Sequence, residues 1–286
     1  MNQGVQIALL ALFAPLLQGT LARLRARMQG RPGASVWQPY RDLRKLWGKD
    51  AVIPQRSMLL LVAPGIALGV AVTFVAVVPS ITATDASAWR IDAIALALLL
   101  ALGRFVTVLA ALDTRSAFEG MAAGREIAFA SLTEAPLILA LLGSAFLSDG
   151  SLAHAPNGIW TDALAAGALL LVMLSETARI PVDNQQTHYE LTMIHEGLVL
   201  EYSGWQLAML HYAAYLRQAG FFVLAALLMP GSGVATVGWI AAVGACIVLI
   251  ETVYAKLRLF EVPQLFASAL ILSLASIGLR IADVLR

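Results

Sequence analysis

Three carboxylates lie inside apolar stretches long enough to cross a bilayer: Glu134, Glu176 and Glu251. An acid at the centre of a membrane helix costs about 2.5 to 3.5 kcal/mol on insertion scales, enough to cancel several Leu or Ile at about 0.3 to 0.6 kcal/mol each. Such a residue must face a partner charge or water. A single acid near the end of a span reads as a structural pair, for example Glu176 with Arg179, or as a membrane-edge residue reaching the headgroups. Three acids on three spans, with Arg104 and Arg217 in the same kind of stretch as counter-charges, instead predict a buried polar path for protons. Glu134 is followed by Ala135-Pro136, and a proline inside a span leaves a carbonyl one turn earlier without its donor, a natural seat for a polar group or water.

A second concentration of chemistry follows residue 178. Arg179, Asp183, His188, Glu190, His195, Glu196 and Glu201 fall within one connecting segment, alternating with Leu191, Ile194, Leu198 and Leu200. A helix over 187–202 would carry Glu190 and Glu201 on nearly the same face. The apolar residues predict that part of this segment packs against the spans or another subunit instead of lying free in water. An earlier connection, 23–57, holds nine Lys or Arg but only Asp42 and Asp50. Within it Trp37-Gln38-Pro39-Tyr40 and the periodic Asp42-Leu43-Arg44-Lys45-Leu46-Trp47 predict an interfacial amphipathic helix beside an opening for a lipid-like molecule. Gln38, Asp42 and Lys45 are its candidate interfacial residues.

The elements that must position these residues are membrane helices. Only 13% of the 286 residues are charged, against about 25% in soluble domains. Eight stretches have the length and apolarity to span, at 3–22, 58–79, 91–112, 127–147, 161–178, 207–229, 235–255 and 263–282. The expected fold is therefore all-α: one integral membrane domain, 1–286, of about eight transmembrane helices with two long cytoplasmic loops. No positive charge precedes the first run and Arg23, Arg25 and Arg27 follow it, which predicts a retained helix with an outward N-terminus. On that arrangement fourteen Lys and Arg fall in inner segments and three, Arg90, Arg280 and Arg286, on the outer side. Both termini then lie on the outer face. The outer connections near 80–90, 148–160 and 230–236 are short and rich in turn formers. Gly65 and Gly69 have small-xxx-small spacing for close helix packing, as do Gly120 and Gly124.

Soluble-enzyme signatures are missing. There is no phosphate-binding loop and no dinucleotide glycine fingerprint, and His195-Glu196 lacks the second histidine of a zinc helix. The single cysteine, Cys246, excludes a disulfide framework, a zinc ribbon and a cysteine-ligated iron–sulfur site. No metal, catalytic residue or redox centre is expected in this chain, and no nucleic-acid partner.

Glu176-Thr177-Ala178-Arg179-Ile180-Pro181-Val182-Asp183, then Glu190-Leu191, then Glu201-Tyr202-Ser203-Gly204, resembles the signature loop of the complex I subunit 1 family. That family forms the membrane joint between a peripheral redox arm and a proton-pumping arm. Gln38-Pro39, Asp42, Lys45-Leu46, Lys49-Asp50 and Pro54 agree in spacing, so the resemblance covers essentially the whole chain. Within the family, Thr187 through Glu196 and Lys256 through Gln264 are more similar to the group 4 membrane-bound nickel-iron hydrogenases, of formate hydrogenlyase type. Where the quinone-reducing branch carries Gly-Pro-Asn, this chain reads Arg31-Pro32-Gly33-Ala34-Ser35.

The resemblance implies a bacterial or archaeal cytoplasmic membrane. It also implies partners that hold the nickel-iron and iron–sulfur centres: a nickel-iron large subunit, an iron–sulfur small subunit and antiporter-like membrane subunits. It assigns Glu134, Glu176, Glu190 and Glu201 to an acidic path into the membrane, to which the residue reading adds Glu251. Arg179 and Asp183 fall on the loop that faces the redox module, with His188, His195 and Glu196 beside them. Two other functions fit a chain of this class: the quinone-site subunit of a proton-pumping NADH-quinone oxidoreductase, and an autonomous ion transporter. An autonomous transporter is expected to show repeated halves around a midplane site, and no such repeat is visible.

Overall fold

A computed structural model describes residues 3–52, 57–78, 93–145, 159–184, 192–229 and 233–284. The described residues form helices and connections, without a strand. Eight long helices stand where the apolar runs predict them: α1 (Gln3–Met28), α3 (Met58–Val77), α4 (Ala93–Asp113), α5 (Ala117–Ala145), α6 (Ile159–Glu176), α7 (Gly204–Leu227), α8 (Val234–Val253) and α9 (Val262–Val284). A ninth, α2 (Gln38–Trp47), is short and amphipathic. By length and composition alone, five are apolar enough to cross a membrane: α1, α3, α4, α8 and α9. The polar residues that make α5, α6 and α7 less apolar face inward, as described below.

Local chemistry explains several boundaries. The Ser57 hydroxyl accepts the Leu60 N–H at 3.1 Å and caps α3. Pro39 occupies the first turn of α2, where its missing N–H costs nothing. Helix α5 runs ten residues further toward the basic loop than hydropathy predicts. Its first turns carry Glu119, Arg125 and Glu126, which a hydropathy window rejects and which are satisfied by polar neighbours instead.

Helix α7 lies against α1, α2, α3, α6 and α8. Its run from Phe221 to Ala226 is buried on every side, the pattern of a central helix. Phe221 packs on Phe74 of α3 with ring centroids 5.2 Å apart. A Cβ at Gly220 would stand 2.4 Å from the Phe74 ring, so the close approach of α3 and α7 requires that glycine. At Gly103 of α4 a Cβ would stand 3.0 Å from a Val70 methyl of α3, a tight but smaller contact. The glycines singled out by spacing do not: a Cβ at Gly65, Gly69, Gly120 or Gly124 would meet nothing within 4 Å.

Large apolar side chains such as Leu12, Leu98, Phe105 and Ile271 point outward from the bundle. A water-exposed monomer rarely shows so much contiguous apolar surface, and a bilayer or partner helices account for it. The predicted outer connection at 80–90, most of that at 148–160, and residues 230–232 lie outside the described residues, as do His188 and Glu190.

The candidate polar cavity and its two ionic clusters

The path of the chain after α6 sets the geometry. Ala178 has φ of 52°, a left-handed conformation that normally favours glycine. Its N–H donates to the Ser175 carbonyl at 3.0 Å, and the Arg179 N–H donates to the Leu174 carbonyl at 2.8 Å. This paired arrangement closes α6 and reverses the chain. Arg179 is thereby carried back into the bundle, with only 4% of its side chain exposed. A following turn, in which the Val182 and Asp183 N–H groups donate to the Arg179 carbonyl, places Asp183 beneath the loop.

Asp183 organises that loop. Its carboxylate accepts the N–H groups of Asn184 (2.8 Å), Ile194 (3.3 Å) and His195 (3.1 Å), and the Lys256 ammonium at 2.9 Å. Lys256 also donates to the Thr192 carbonyl at 2.7 Å. Because Asp183 captures the donors of residues 194 and 195, the described part of 187–202 is a turn followed by a 3₁₀ segment, Glu196–Val199, in place of the expected helix. Burial alone would raise the Asp183 pKa, but the neighbouring His195 imidazole and the Lys256 ammonium that donates to it outweigh burial and hold the carboxyl well below the usual carboxylate range.

The loop roofs a cavity of about 500 Å³, reached by Gln18 and Arg25 of α1, Arg217 of α7, Arg179, His195 and Glu251. Gln38 and Asp42 of α2 also border it, joined to each other at 2.8 Å. Lys45 points away and is exposed.

Two ionic clusters flank this space. In the first, Arg104 of α4 lies 3.5 Å from Glu126, 3.5 Å from Glu134 and in direct contact with Glu176. Glu126, Glu134 and Glu176 come from α5 and α6, and Glu134 keeps 44% of its side chain exposed. Arg217 is half-buried nearby and forms no ion pair with any described residue, and its Nε is buried without a hydrogen-bond partner. In the second cluster, Glu251 of α8 lies 3.1 Å from Arg179 and 3.2 Å from Arg25. Arg179 further donates to Gln18 and, at 2.9 Å, to Gln218.

These contacts correct the simple pairing of Glu176 with Arg179. Glu176 belongs to Arg104 and Arg179 belongs to Glu251, because the chain reversal at Ala178 carries Arg179 away from the face of α6. Glu251 lines the cavity directly, whereas Glu176 and Glu134 do not line it and meet it through Arg104, so the three divide between the two clusters. Glu201 does not join them: it is exposed, and its N–H donates to the buried Glu119 carboxylate at 3.0 Å. Glu196 borders the cavity from the 3₁₀ segment. Glu119 and Glu126 escaped the sequence reading because they lie where α5 leaves its apolar run. The signal available was their place seven residues apart on one helical face. Among the described residues no three His, Cys, Asp or Glu side chains group closely enough to hold a metal ion.

A family model described as NADH dehydrogenase matches residues 3–281. The chain belongs to this family, the complex I subunit 1 family. It is 34% identical over 237 residues to hydrogenase-4 component C of Escherichia coli (strain K12), covering 79% of this chain and 74% of that protein. It is 30% identical over 224 residues to formate hydrogenlyase subunit 4 of the same organism, covering 75% and 72%. Its fold is similar to a chain of the membrane-bound sulfane sulfur reductase, an archaeal respiratory membrane complex, with a TM-score of 0.76 at 15% identity. That match covers 98% of this chain and all of the other. Of the expectations from sequence, the family resemblance and the all-helical membrane architecture agree with these likenesses.

Proposed function

We propose that this chain is the membrane-anchoring and coupling subunit of an energy-converting nickel-iron hydrogenase of formate hydrogenlyase type. The observation that carries this reading is the Arg104 cluster: three carboxylates from two helices converge on one buried guanidinium beside a polar cavity roofed by the family's signature loop. Three carboxylates around one Arg leave a surplus of acceptor oxygens able to take up and pass a proton. The likeness to two hydrogenase-associated subunits supports the same assignment. The centres that perform redox chemistry belong, on this reading, to a nickel-iron large subunit and an iron–sulfur small subunit. One cysteine gives this chain no donor set for them.

The loop of 179–206 docks the redox module, with Asp183, Glu196 and, by sequence position, His188 contributing, while Glu190 belongs by sequence to the acidic path. Movement there reaches the carboxylates because Asp183 and His195 connect the loop to α5. Glu134 and Glu176 carry protons inward toward antiporter-like partners. Glu251, clamped by two guanidiniums, serves chiefly as their counterion. All eight long helices cross the membrane, with α2 and the signature loop on the cytoplasmic side and both termini outside, as the distribution of Lys and Arg favours. A Ser35→Cys probe should accordingly be labelled from the inner side only, and outside labelling would overturn this orientation.

The cavity's size favours one alternative, a quinone-site subunit of an NADH-quinone oxidoreductase. Purification of the tagged chain from its native membrane in mild detergent tests both. Co-purification with nickel-iron and iron–sulfur subunits is expected. Recovery with an NADH-oxidising flavoprotein module would overturn the assignment in favour of the alternative.

A further inference from the structure

We infer that His195 and Glu126 form the proton-uptake couple of this subunit, joining the cavity to the carboxylates around Arg104. The inference rests on the proton-carrying reading of that cluster and names where its protons arrive.

His195 sits on the loop with 18% of its side chain exposed, bordering the cavity. Its Nε2 lies 3.6 Å from Glu126 Oε2 and its Nδ1 lies 3.7 Å from Asp183 Oδ2. Nδ1 is buried and has no hydrogen-bond partner among the described residues. Both separations are slightly longer than a hydrogen bond and within reach of one after a small shift of the ring. Glu126 in turn lies 3.5 Å from Arg104, which touches Glu176. His195, Glu126 and Arg104 all border the cavity, so the imidazole and Glu126 stand together where the carboxylate series meets a water-accessible space.

The two acids beside His195 are unequal. Asp183 is saturated by three backbone N–H groups and Lys256, so it is a fixed anion that holds the ring in place. Glu126 has no such set of donors and is the acid able to accept. In the transfer step the N–H bond at Nε2 of the imidazolium breaks and an O–H bond forms at Glu126, leaving neutral imidazole and a carboxylic acid. A proton from bulk solvent, relayed through cavity water, then forms the N–H bond at Nε2 again, leaving the relaying water neutral. The charges facing His195 come from every element around it: Glu126 on α5, Asp183 and Lys256 in the loops, and Arg217 on α7, with Arg104 on α4 behind Glu126. Burial disfavours the imidazolium, but Glu126 and Asp183 outweigh both burial and Arg217 and raise its pKa above the ordinary histidine value.

The test uses the complete complex in inverted membrane vesicles, with proton movement measured alongside hydrogen turnover from weakly acid to alkaline pH. His195→Ala, His195→Gln, Glu126→Gln and Glu176→Gln are each checked for assembly by co-purification. The expected result is an assembled complex with proton movement reduced about tenfold or more in the His195 and Glu126 variants. Added imidazole, small enough for the cavity, should restore His195→Ala but not Glu126→Gln. A purely structural histidine would not give that rescue.

Wild-type proton movement in assembled His195→Gln and Glu126→Gln complexes would overturn the couple. Absence of imidazole rescue, or loss of assembly in every His195 and Glu126 variant, would also overturn it, assigning these residues to structure. Impairment of Glu176→Gln with normal His195 and Glu126 variants would remove the couple and leave the carboxylate path standing. Normal proton movement in Glu176→Gln would remove the path itself.

Discussion

The two sides of the polar cavity solve the problem of buried charge in opposite ways. Around Arg104 three carboxylates share one guanidinium; around Glu251 two guanidiniums share one carboxylate. The first arrangement survives the loss of any one acid, since the remaining two still balance Arg104. The second has a single anion and no reserve. Redundancy of acids is what a site that changes its protonation requires, and a lone anion between two cations is what a fixed joint requires. The fold places them accordingly: the acid-rich cluster lies among α4, α5 and α6, and the cation-rich cluster ties α8 and α1 to the end of α6.

The largest effect is expected from removing the shared cation. Arg104→Met leaves Glu126, Glu134 and Glu176 facing one another without their counterion, and breaking a buried pair in this way costs about 3 to 5 kcal/mol. Loss of assembled complex in detergent extracts is the expected outcome. Combining Arg104→Met with Glu126→Gln and Glu176→Gln should restore yield, because the repulsion is then gone.

Next comes Glu251→Gln, which strands Arg25 and Arg179. Assembly should fall severely, whereas Glu134→Gln and Glu176→Gln should leave it nearly intact. Equal yields for all three, measured by co-purification, would erase the distinction between the clusters.

Asp183→Lys should have a more local effect. It replaces the acceptor of three backbone N–H groups with a cation facing Lys256, so the loop should open while the helices still insert. Release of the soluble redox subunits from membranes that retain this chain is expected. A complex that remains intact and active would show that docking does not depend on the loop's closed form.

The smallest effect is the pH response of the loop. His195 is held above its ordinary pKa of about 6.5, so its contribution is complete below about pH 6.5 and is lost as the pH rises through the higher folded value. Asp183 is held below the ordinary value of about 3.9, so its contribution is present above about pH 4 and is lost only as the pH falls through the lower folded value. Amide protection over 192–203, taken relative to the intrinsic exchange rate at each pH, should therefore fall on the alkaline side, and His195→Gln should abolish that fall.

The helices were legible in the sequence because hydropathy over some twenty residues is a strong signal, and all eight long helices coincide with apolar runs. Glu134, Glu176 and Glu251 were legible for the converse reason, as charges against an apolar background. Their partners were not. Which Arg meets which Glu depends on the reversal at Ala178, a left-handed residue that composition does not announce. Glu119 and Glu126 carried only the weak signal of their seven-residue spacing, because they stand among other charges at the start of α5, where burial is decided by the loop folding over them. The conformation of the loop was not legible, because Asp183 takes the backbone donors of residues 194 and 195 that a helix would use.

On the proposed function the Arg104 cluster moves protons while the Glu251 cluster holds the bundle together. The most direct measurement is proton movement per hydrogen turned over in vesicles carrying Glu176→Gln, with complex yield measured in the same preparation. The account predicts near-normal yield and strongly reduced proton movement. Normal proton movement at normal yield, or collapse of assembly comparable to that of Glu251→Gln, would contradict it.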